Sequence, residues 1–68
     1  MARTQAMAYG VARSVLRDRA SAEDATQRAY LRALRRLADL EDAQAFPAWL
    51  RRIVITESLN ERRSRRVT

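Results

Sequence analysis

Apolar residues recur at intervals of three and four positions along most of this chain, which is the spacing of one face of an α-helix. The first series consists of Ala8, Val11, Ala12, Val15 and Leu16. It predicts an amphipathic first helix over roughly residues 3–17. Gly10 weakens this helix somewhat, because glycine loses more conformational freedom on folding than other residues.

The second series follows Ser21, which lies three residues before Asp24 and resembles a capping box with Asp in place of the usual Glu or Gln. This pattern predicts a second helix that begins at Ala22. Its core-facing side is predicted to consist of Ala22, Ala25, Ala29, Tyr30, Ala33 and Leu37. The small alanines would let this helix approach its neighbours closely.

The opposite side of the second helix is polar apart from one leucine. Its members are Asp24, Gln27, Arg28, Leu31 and Arg35. A single exposed leucine ordinarily needs no explanation, because much of a folded protein's surface is apolar. From the residues alone, Leu31 is therefore either an ordinary surface residue or part of a contact.

The segment 38–46 lacks sustained periodicity and carries three acidic residues, Asp39, Glu41 and Asp42. We expect it to be a connecting loop with at most a single turn. Leu40 is its candidate contact with the core.

A third helix is predicted to begin at Pro47, because proline suits the first helical position and disfavours helical angles in the residue before it. It can extend to about Arg65. The inward sector consists of Trp49, Leu50, Ile53 and Val54. Another sector consists of Arg51, Arg52, Ile55, Arg62, Arg63 and Arg66.

The composition agrees with an all-α, three-helix domain that occupies residues 1–68 as a single unit. The chain of 68 residues has one glycine and one proline, and alanine, leucine and arginine favour helices. It has no cysteine and no histidine, which excludes the usual zinc site and catalysis by either residue type. We therefore predict neither an enzyme nor a cofactor or metal. No membrane span or secretory signal is apparent, so the expected location is the cytoplasm.

The net charge of +6 comes from 14 basic residues, all arginine, against eight acidic ones. Residues 47–68 contain most of the excess and include the run Arg62-Arg63-Ser64-Arg65-Arg66. Arginine binds phosphate through planar, bidentate contacts, so this end suggests a polyanionic partner. The alternatives are a solvated tail and the codon usage of a GC-rich genome, which by itself would explain the absence of lysine.

Trp49, Glu61 and Glu57 of the third helix each have an expected role, and Trp49 has two. Trp49 fits a core position, and it also fits a platform on which nucleic-acid bases stack. Glu61 lies four residues before Arg65, the favoured order for an ion pair within a helix. Glu57 has no arginine at helical spacing and is expected to be solvated.

Three segments together resemble region 2 of an extracytoplasmic-function sigma factor. They are Ala22-Glu23-Asp24-Ala25-Thr26-Gln27-Arg28-Ala29-Tyr30-Leu31-Arg32-Ala33, Phe46-Pro47-Ala48-Trp49-Leu50-Arg51-Arg52-Ile53 and the arginine-rich run 62–66. The family has an AED-x-x-Q helix, a loop of about ten residues, an F-x-x-W-L-x-x-I helix and an arginine-rich end, in this order. The resemblance covers residues 22–66.

The resemblance implies that the second helix docks on the clamp helices of the β′ subunit of core RNA polymerase. The polymerase-binding residues would then be Asp24, Gln27, Arg28, Leu31 and Arg35. In this interpretation Leu31 is an apolar anchor with a polar rim.

The resemblance also implies that the loop captures a base flipped from the promoter minus-ten element and that the third helix holds the non-template strand and helps to melt the duplex. The candidate loop residues are Asp39, Leu40, Glu41, Asp42, Ala43 and Gln44. The candidate residues of the third helix are Arg51, Arg52, Ile55, Thr56, Arg62, Arg63, Arg65 and Arg66. Such binding uses stacking and backbone electrostatics and needs no hydrolytic chemistry.

The chain departs from the family pattern in several places. Ile55-Thr56 stands where the family often has an arginine-asparagine pair, and Asn60 where it has an aspartate. The front helix is shortened, and the region 4 domain that reads the minus-thirty-five element is absent from the 68 residues. These departures bear more on promoter recognition than on polymerase docking.

Two other functions compete with this interpretation. The first is a protein-interaction module that binds an anti-sigma regulator or self-associates without binding DNA, which the residues at 55 and 56 favour slightly. The second is a helix-turn-helix reader of duplex DNA. It is disfavoured because the linker between the second and third helices is too long for the tight turn of that motif.

Overall fold

The computed structural model describes the backbone of residues 2–67 and the side chains of residues 4–64. It contains three helices, α1 (Ala2–Val15), α2 (Arg19–Arg35) and α3 (Phe46–Val67). Two single 3₁₀ turns, Leu37–Asp39 and Ala43–Ala45, lie between α2 and α3. No strand occurs in the described backbone, and the predicted all-α, three-helix fold is confirmed.

The start of α2 differs from the prediction. The helix begins at Arg19, three residues before Ala22, and its N-cap is Asp18. The Asp18 carboxylate accepts a hydrogen bond from the backbone N–H of Ser21 at 2.9 Å, while Ser21 itself is fully buried. The capping box at Ser21 was therefore a wrong prediction. An aspartate with extended backbone angles caps the helix one turn earlier, so that Ser21 and Ala22 lie inside the helix and are buried.

The core is built where small residues of α1 and α2 meet two larger residues of α3. Its fully or nearly fully buried apolar members are Ala8, Ala12, Leu16, Ala22, Ala25, Ala29, Ala33, Leu50 and Val54. All four alanines predicted for the inner side of α2 belong to this set. Leu50 and Val54 are the largest apolar side chains that are fully buried, so they supply much of the packing volume.

Two residues predicted for the core side of α2 are less buried than its alanines. Tyr30 is only partly buried and packs against the edge of the core. Leu37 is 48% exposed, so its core assignment was wrong. The reason is that α2 ends at Arg35, and the 3₁₀ turn at Leu37–Asp39 breaks the rotation that would have carried Leu37 inward.

The start of α3 also corrects the prediction. Phe46 already has helical angles, φ −53° and ψ −47°, although it precedes proline. The 3₁₀ turn Ala43–Ala45 leads directly into the helix, and Pro47 lies in the first turn, where its missing N–H costs no hydrogen bond. The centroids of the Phe46 and Trp49 rings are 5.9 Å apart, so the first residue of α3 makes a side-chain contact with the helix one turn later.

Two ion pairs join α2 to α3. An Arg28 guanidinium nitrogen donates to Glu61 Oε1 at 3.0 Å, and an Arg32 guanidinium nitrogen donates to Glu57 Oε2 at 2.6 Å. The glutamate side chains are only 10% and 12% exposed. The expectation that Glu57 is solvated was wrong, because its partner comes from another helix. The Arg65 side chain proposed as the partner of Glu61 lies outside the described residues.

Tyr30 carries a buried hydroxyl oxygen for which no hydrogen-bond partner occurs among the described residues. Burial raises the pKa of this phenol above its ordinary value of 10.0. The folded state therefore holds the phenol proton more tightly than the unfolded state does. The resulting contribution to stability is complete below about pH 10 and is lost as the pH rises through the folded-state pKa.

We expect Tyr30→Phe to leave the free energy of unfolding unchanged or to raise it by up to about 1 kcal/mol, because it removes an unpaired buried hydroxyl. Its advantage over the parent should grow above about pH 10. Urea unfolding at pH 8 and above pH 10 measures both effects. Tyr9→Phe is the matched control, since Arg13 approaches the Tyr9 hydroxyl at 3.5 Å. A substantial destabilisation by Tyr30→Phe at pH 8 would contradict this account.

Candidate functional site

The outer side of α2 presents apolar residues to solvent. Gln27, Leu31 and Leu34 lie four and three residues apart, so they are neighbours on one side of the helix. Leu31 is 57% exposed and Leu34 is 69% exposed. Asp24, one turn earlier, is exposed as well. The sequence analysis assigned Leu31 to this side and missed Leu34, although the three-residue spacing from Leu31 would have indicated it.

Two predicted members of this face lie at its edge. The Arg28 side chain is 60% exposed, and its guanidinium bonds to Glu61 on α3. Arg35 is exposed and lines a surface depression together with Leu31 and Arg36. The structure therefore groups Asp24, Gln27, Leu31 and Leu34, with the two arginines between this face and α3.

The connecting segment forms one wall of a surface depression of about 410 Å³, which we call the loop depression. Its lining residues are Asp39, Leu40, Glu41, Asp42, Ala45, Ala48, Trp49 and Arg52. Four of the six predicted loop residues thus come together here. Ala43 and Gln44 lie in the exposed 3₁₀ turn, where the Gln44 N–H donates to the Asp42 carboxylate at 3.0 Å. Leu40 is partly buried.

Trp49 is partly buried, packs against the core and also lines surface depressions. Its ring contacts Phe46 on one side, and the loop depression lies at another. The two interpretations of Trp49 are therefore compatible in this geometry. The same residue can anchor α3 and offer part of its surface to a ligand.

A second depression, of about 270 Å³, lies where α2 meets α3, and we call it the seam. It is lined by Arg32, Arg36, Trp49, Arg52, Ile53 and Thr56. The Thr56 hydroxyl donates to the Arg52 carbonyl oxygen at 3.0 Å, which leaves the Arg52 side chain uninvolved in that bond. The sequence analysis assigned Arg52 and Thr56 to ligand binding and missed Arg32 and Arg36. They belong to another helix, so no local spacing links them to Arg52.

The remaining arginines of α3 are distributed over more than one side. Arg51, Arg52, Arg62 and Arg63 are all exposed. Arg51 lies four residues before the partly buried Ile55 and eleven before Arg62, which places these three on one side. Arg52 lies at the seam instead. The side chains of Arg65 and Arg66, which were also assigned to DNA binding, lie outside the described residues.

Other kinds of site find no support in the described part of the chain. No cluster of three or more acidic side chains there could hold a metal ion. No described helix is both long enough and apolar enough to cross a bilayer.

Comparison with known proteins gives one positive finding. The family model for sigma-70 region 2 matches residues 1–68. No curated protein matches the chain. No solved structure matches it either.

Proposed function

Since this chain belongs to the sigma-70 region 2 family, we propose that it acts in transcription initiation as an extracytoplasmic-function type of region 2, a single domain over residues 1–68. In this role it docks on core RNA polymerase through α2 and holds the promoter minus-ten element through the loop and α3. It catalyses no reaction itself and needs no cofactor. The observation that carries the proposal is that the outer side of α2 exposes two leucines, Leu31 and Leu34, next to Gln27, while its inner side is packed.

The polymerase-docking surface consists of Asp24, Gln27, Leu31 and Leu34, with Arg28 and Arg35 at its edge. Leu31 and Leu34 expose apolar area that the domain itself does not cover. An interface with the β′ clamp helices would bury them in the centre of a polar rim, where contacts contribute most to affinity. This arrangement supports the docking role.

The promoter-binding surface consists of the loop depression and the arginines of α3. A depression of about 410 Å³ between the loop and Trp49 offers room for a base displaced from the duplex. Arg52, which lines this depression, and the other exposed arginines of α3 attract the phosphates of the same strand. Binding of a melted strand then needs only stacking and electrostatic contacts.

Docking is tested by measuring binding of the chain to a β′ clamp fragment. We expect Leu31→Arg to weaken this binding by about 30-fold or more, because loss of a central anchor typically costs 2 kcal/mol or more. Gln27→Ala should weaken it by a smaller factor. Leu59→Arg is the matched control, since Leu59 is 39% exposed and belongs to α3, whereas the proposed docking residues belong to α2. Full binding by both α2 variants would show that this face does not contact the polymerase.

A second candidate function is the protein-interaction module that binds an anti-sigma regulator or a second copy. It is favoured by the number of exposed large apolar residues, Leu31, Leu34, Leu37 and Leu59, in a chain this short. Sedimentation velocity over a range of concentrations and the clamp-binding measurement distinguish the two functions. Concentration-dependent association without clamp binding would favour the second.

A further inference from the structure

The loop depression, the seam and a third depression form a connected series along the surface. The loop depression and the seam share Trp49 and Arg52. The seam and the third depression, of about 540 Å³, share Arg32 and Arg36. A flexible ligand that enters the loop depression therefore meets the seam next, and then the C-terminal half of α2.

The seam is cationic on both of its walls. Arg32 and Arg36 come from the α2 side and Arg52 from the α3 side, and none of the six lining residues is acidic. Arg32 bonds to Glu57, which neutralises part of its charge. Arg36 and Arg52 form no ion pair within the described part of the chain. Two guanidinium groups are thus available for an anion between the helices.

The loop depression has the opposite electrostatic character. Its wall includes three acidic residues of the connecting segment, Asp39, Glu41 and Asp42, against a single arginine, Arg52, which it shares with the seam. A phosphate would be repelled by these carboxylates, whereas an uncharged base would not. The charge distribution therefore favours the phosphate of a nucleotide in the seam and its base in the loop depression.

We propose that the seam is the phosphate-binding track for single-stranded DNA, with Arg36 of the α2 end and Arg52 of α3 as the contacting residues, while the base of the same nucleotide enters the loop depression. This proposal rests on the proposed function and adds α2 to the DNA-binding surface. The proposal also assigns different parts of the strand to different arginines. Arg36 and Arg52 in the seam bind the strand beside the loop, and Arg62 and Arg63 bind the strand farther along α3.

A simpler role exists for Arg36. It lies at the C-terminal end of α2, where a positive charge interacts favourably with the helix dipole. If that were its only role, its removal would alter helix stability and leave the salt dependence of DNA binding unchanged. The test therefore measures salt dependence as well as affinity.

The experiment uses the single tryptophan of the chain, Trp49, as an internal probe. The 68-residue chain is titrated with single-stranded DNA of about 10 nucleotides, a usual site size, and with a duplex of the same sequence. Labelled-DNA anisotropy gives the affinity at several salt concentrations, and Trp49 fluorescence reports occupancy of the two depressions that Trp49 lines, the loop depression and the seam. Circular dichroism confirms that each variant is folded.

Three double variants with equal charge change are compared with the parent. Arg36→Gln with Arg52→Gln removes the seam cations, and Arg62→Gln with Arg63→Gln removes the distal pair. Arg17→Gln with Arg19→Gln is the matched control. Arg17 lies in the turn between α1 and α2, and Arg19 is the first residue of α2, about 25 Å along the helix axis from Arg36.

We expect the seam variant to bind single-stranded DNA about 20-fold more weakly near 0.1 M salt, with a salt slope lower by about 1.4, because each lost phosphate contact removes about 0.7 from the slope. The Trp49 response should disappear at concentrations that saturate the parent. The distal variant should bind more weakly but keep the Trp49 response at saturation. The control should match the parent.

The outcomes separate this proposal from the proposed function. If the seam variant keeps the affinity and salt slope of the parent while the distal variant loses them, the seam proposal is overturned and DNA binding by α3 stands. If the parent binds no single-stranded DNA, both the seam proposal and the promoter-binding role fall, whereas docking on the clamp fragment is unaffected. Tighter binding of the parent to the duplex than to single-stranded DNA would also overturn the seam proposal.

Discussion

Leu50→Ala is expected to unfold a large fraction of the chain at room temperature. Leu50 is fully buried and is one of the two largest apolar side chains that fill the space between α3 and the alanine-lined helices. Truncating a buried leucine typically costs about 2–5 kcal/mol, because the lost contacts leave a cavity. A domain of this length has roughly 3–10 kcal/mol of total stability, and small size places it toward the lower end.

The measurement is urea unfolding followed by far-UV circular dichroism. Leu34→Ala is the matched control, since it makes the same chemical change at a residue that is 69% exposed. We expect its free energy of unfolding to change by no more than about 0.5 kcal/mol. Equal destabilisation by Leu50→Ala and Leu34→Ala would contradict the conclusion that the core lies between α3 and the alanines of α1 and α2.

Arg32→Glu is expected to produce the second large effect, because it places a carboxylate against Glu57 where an ion pair was. The Glu57 side chain is 12% exposed and Arg32 is 41% exposed. Loss of a partner in a fully buried pair costs about 3–5 kcal/mol, and partial exposure of Arg32 lowers this expectation to about 2 kcal/mol. The loss should increase at low salt, where like charges are less screened.

The charge-swapped chain with Arg32→Glu and Glu57→Arg tests the direct contact. We expect the swap to recover more than half of the stability lost by Arg32→Glu, as measured by the midpoint of urea unfolding. A swap whose loss equals the sum of the two single losses would show that the residues do not interact across the helices. Glu57→Gln is the control for removing one charge without creating repulsion.

These ion pairs also bear on function because they join α2 to α3, the helices that carry the two proposed surfaces. Arg28 and Arg32 are four residues apart on α2, and their partners Glu61 and Glu57 are four residues apart on α3 in reverse order, so the two pairs stack along antiparallel helices. The proposed docking surface belongs to α2, and much of the proposed promoter-binding surface belongs to α3. A change at the pairs would therefore alter the geometry between the two surfaces.

Local patterns predicted the helices well and their ends less well. The inward alanines of α2 and the inward Leu50 and Val54 of α3 were recognised from spacing, because helical periodicity places such residues on one side regardless of the partner helix. The predicted first residue of α2, Ala22, was wrong. Both Asp18 and Ser21 can cap a helix, and the sequence does not show which of them does. The predicted first residue of α3, Pro47, was also wrong. The preceding 3₁₀ turn and the Phe46–Trp49 contact outweigh the tendency of proline to keep the residue before it out of helical angles.

Pairing between helices was the part that local reasoning missed. Glu57 was expected to be solvated because its own helix offers no partner, and the partner is Arg32, 25 residues earlier. Arg36 and Arg52 likewise share a depression only through the packing of α2 on α3. Spacing within one helix cannot reveal such contacts, since they depend on the rotation and register of the two helices.

The sequence by itself determined the fold class, the apolar sides of the helices, the charge and the resemblance to sigma factor region 2, because each of these follows from residue type and local spacing. Only the tertiary structure decided which arginines are held by glutamates, which lie at the seam and which leucines are left uncovered. The physical reason is that each of these properties is set by how one helix is rotated and shifted against another, and that arrangement is a compromise over all core contacts together.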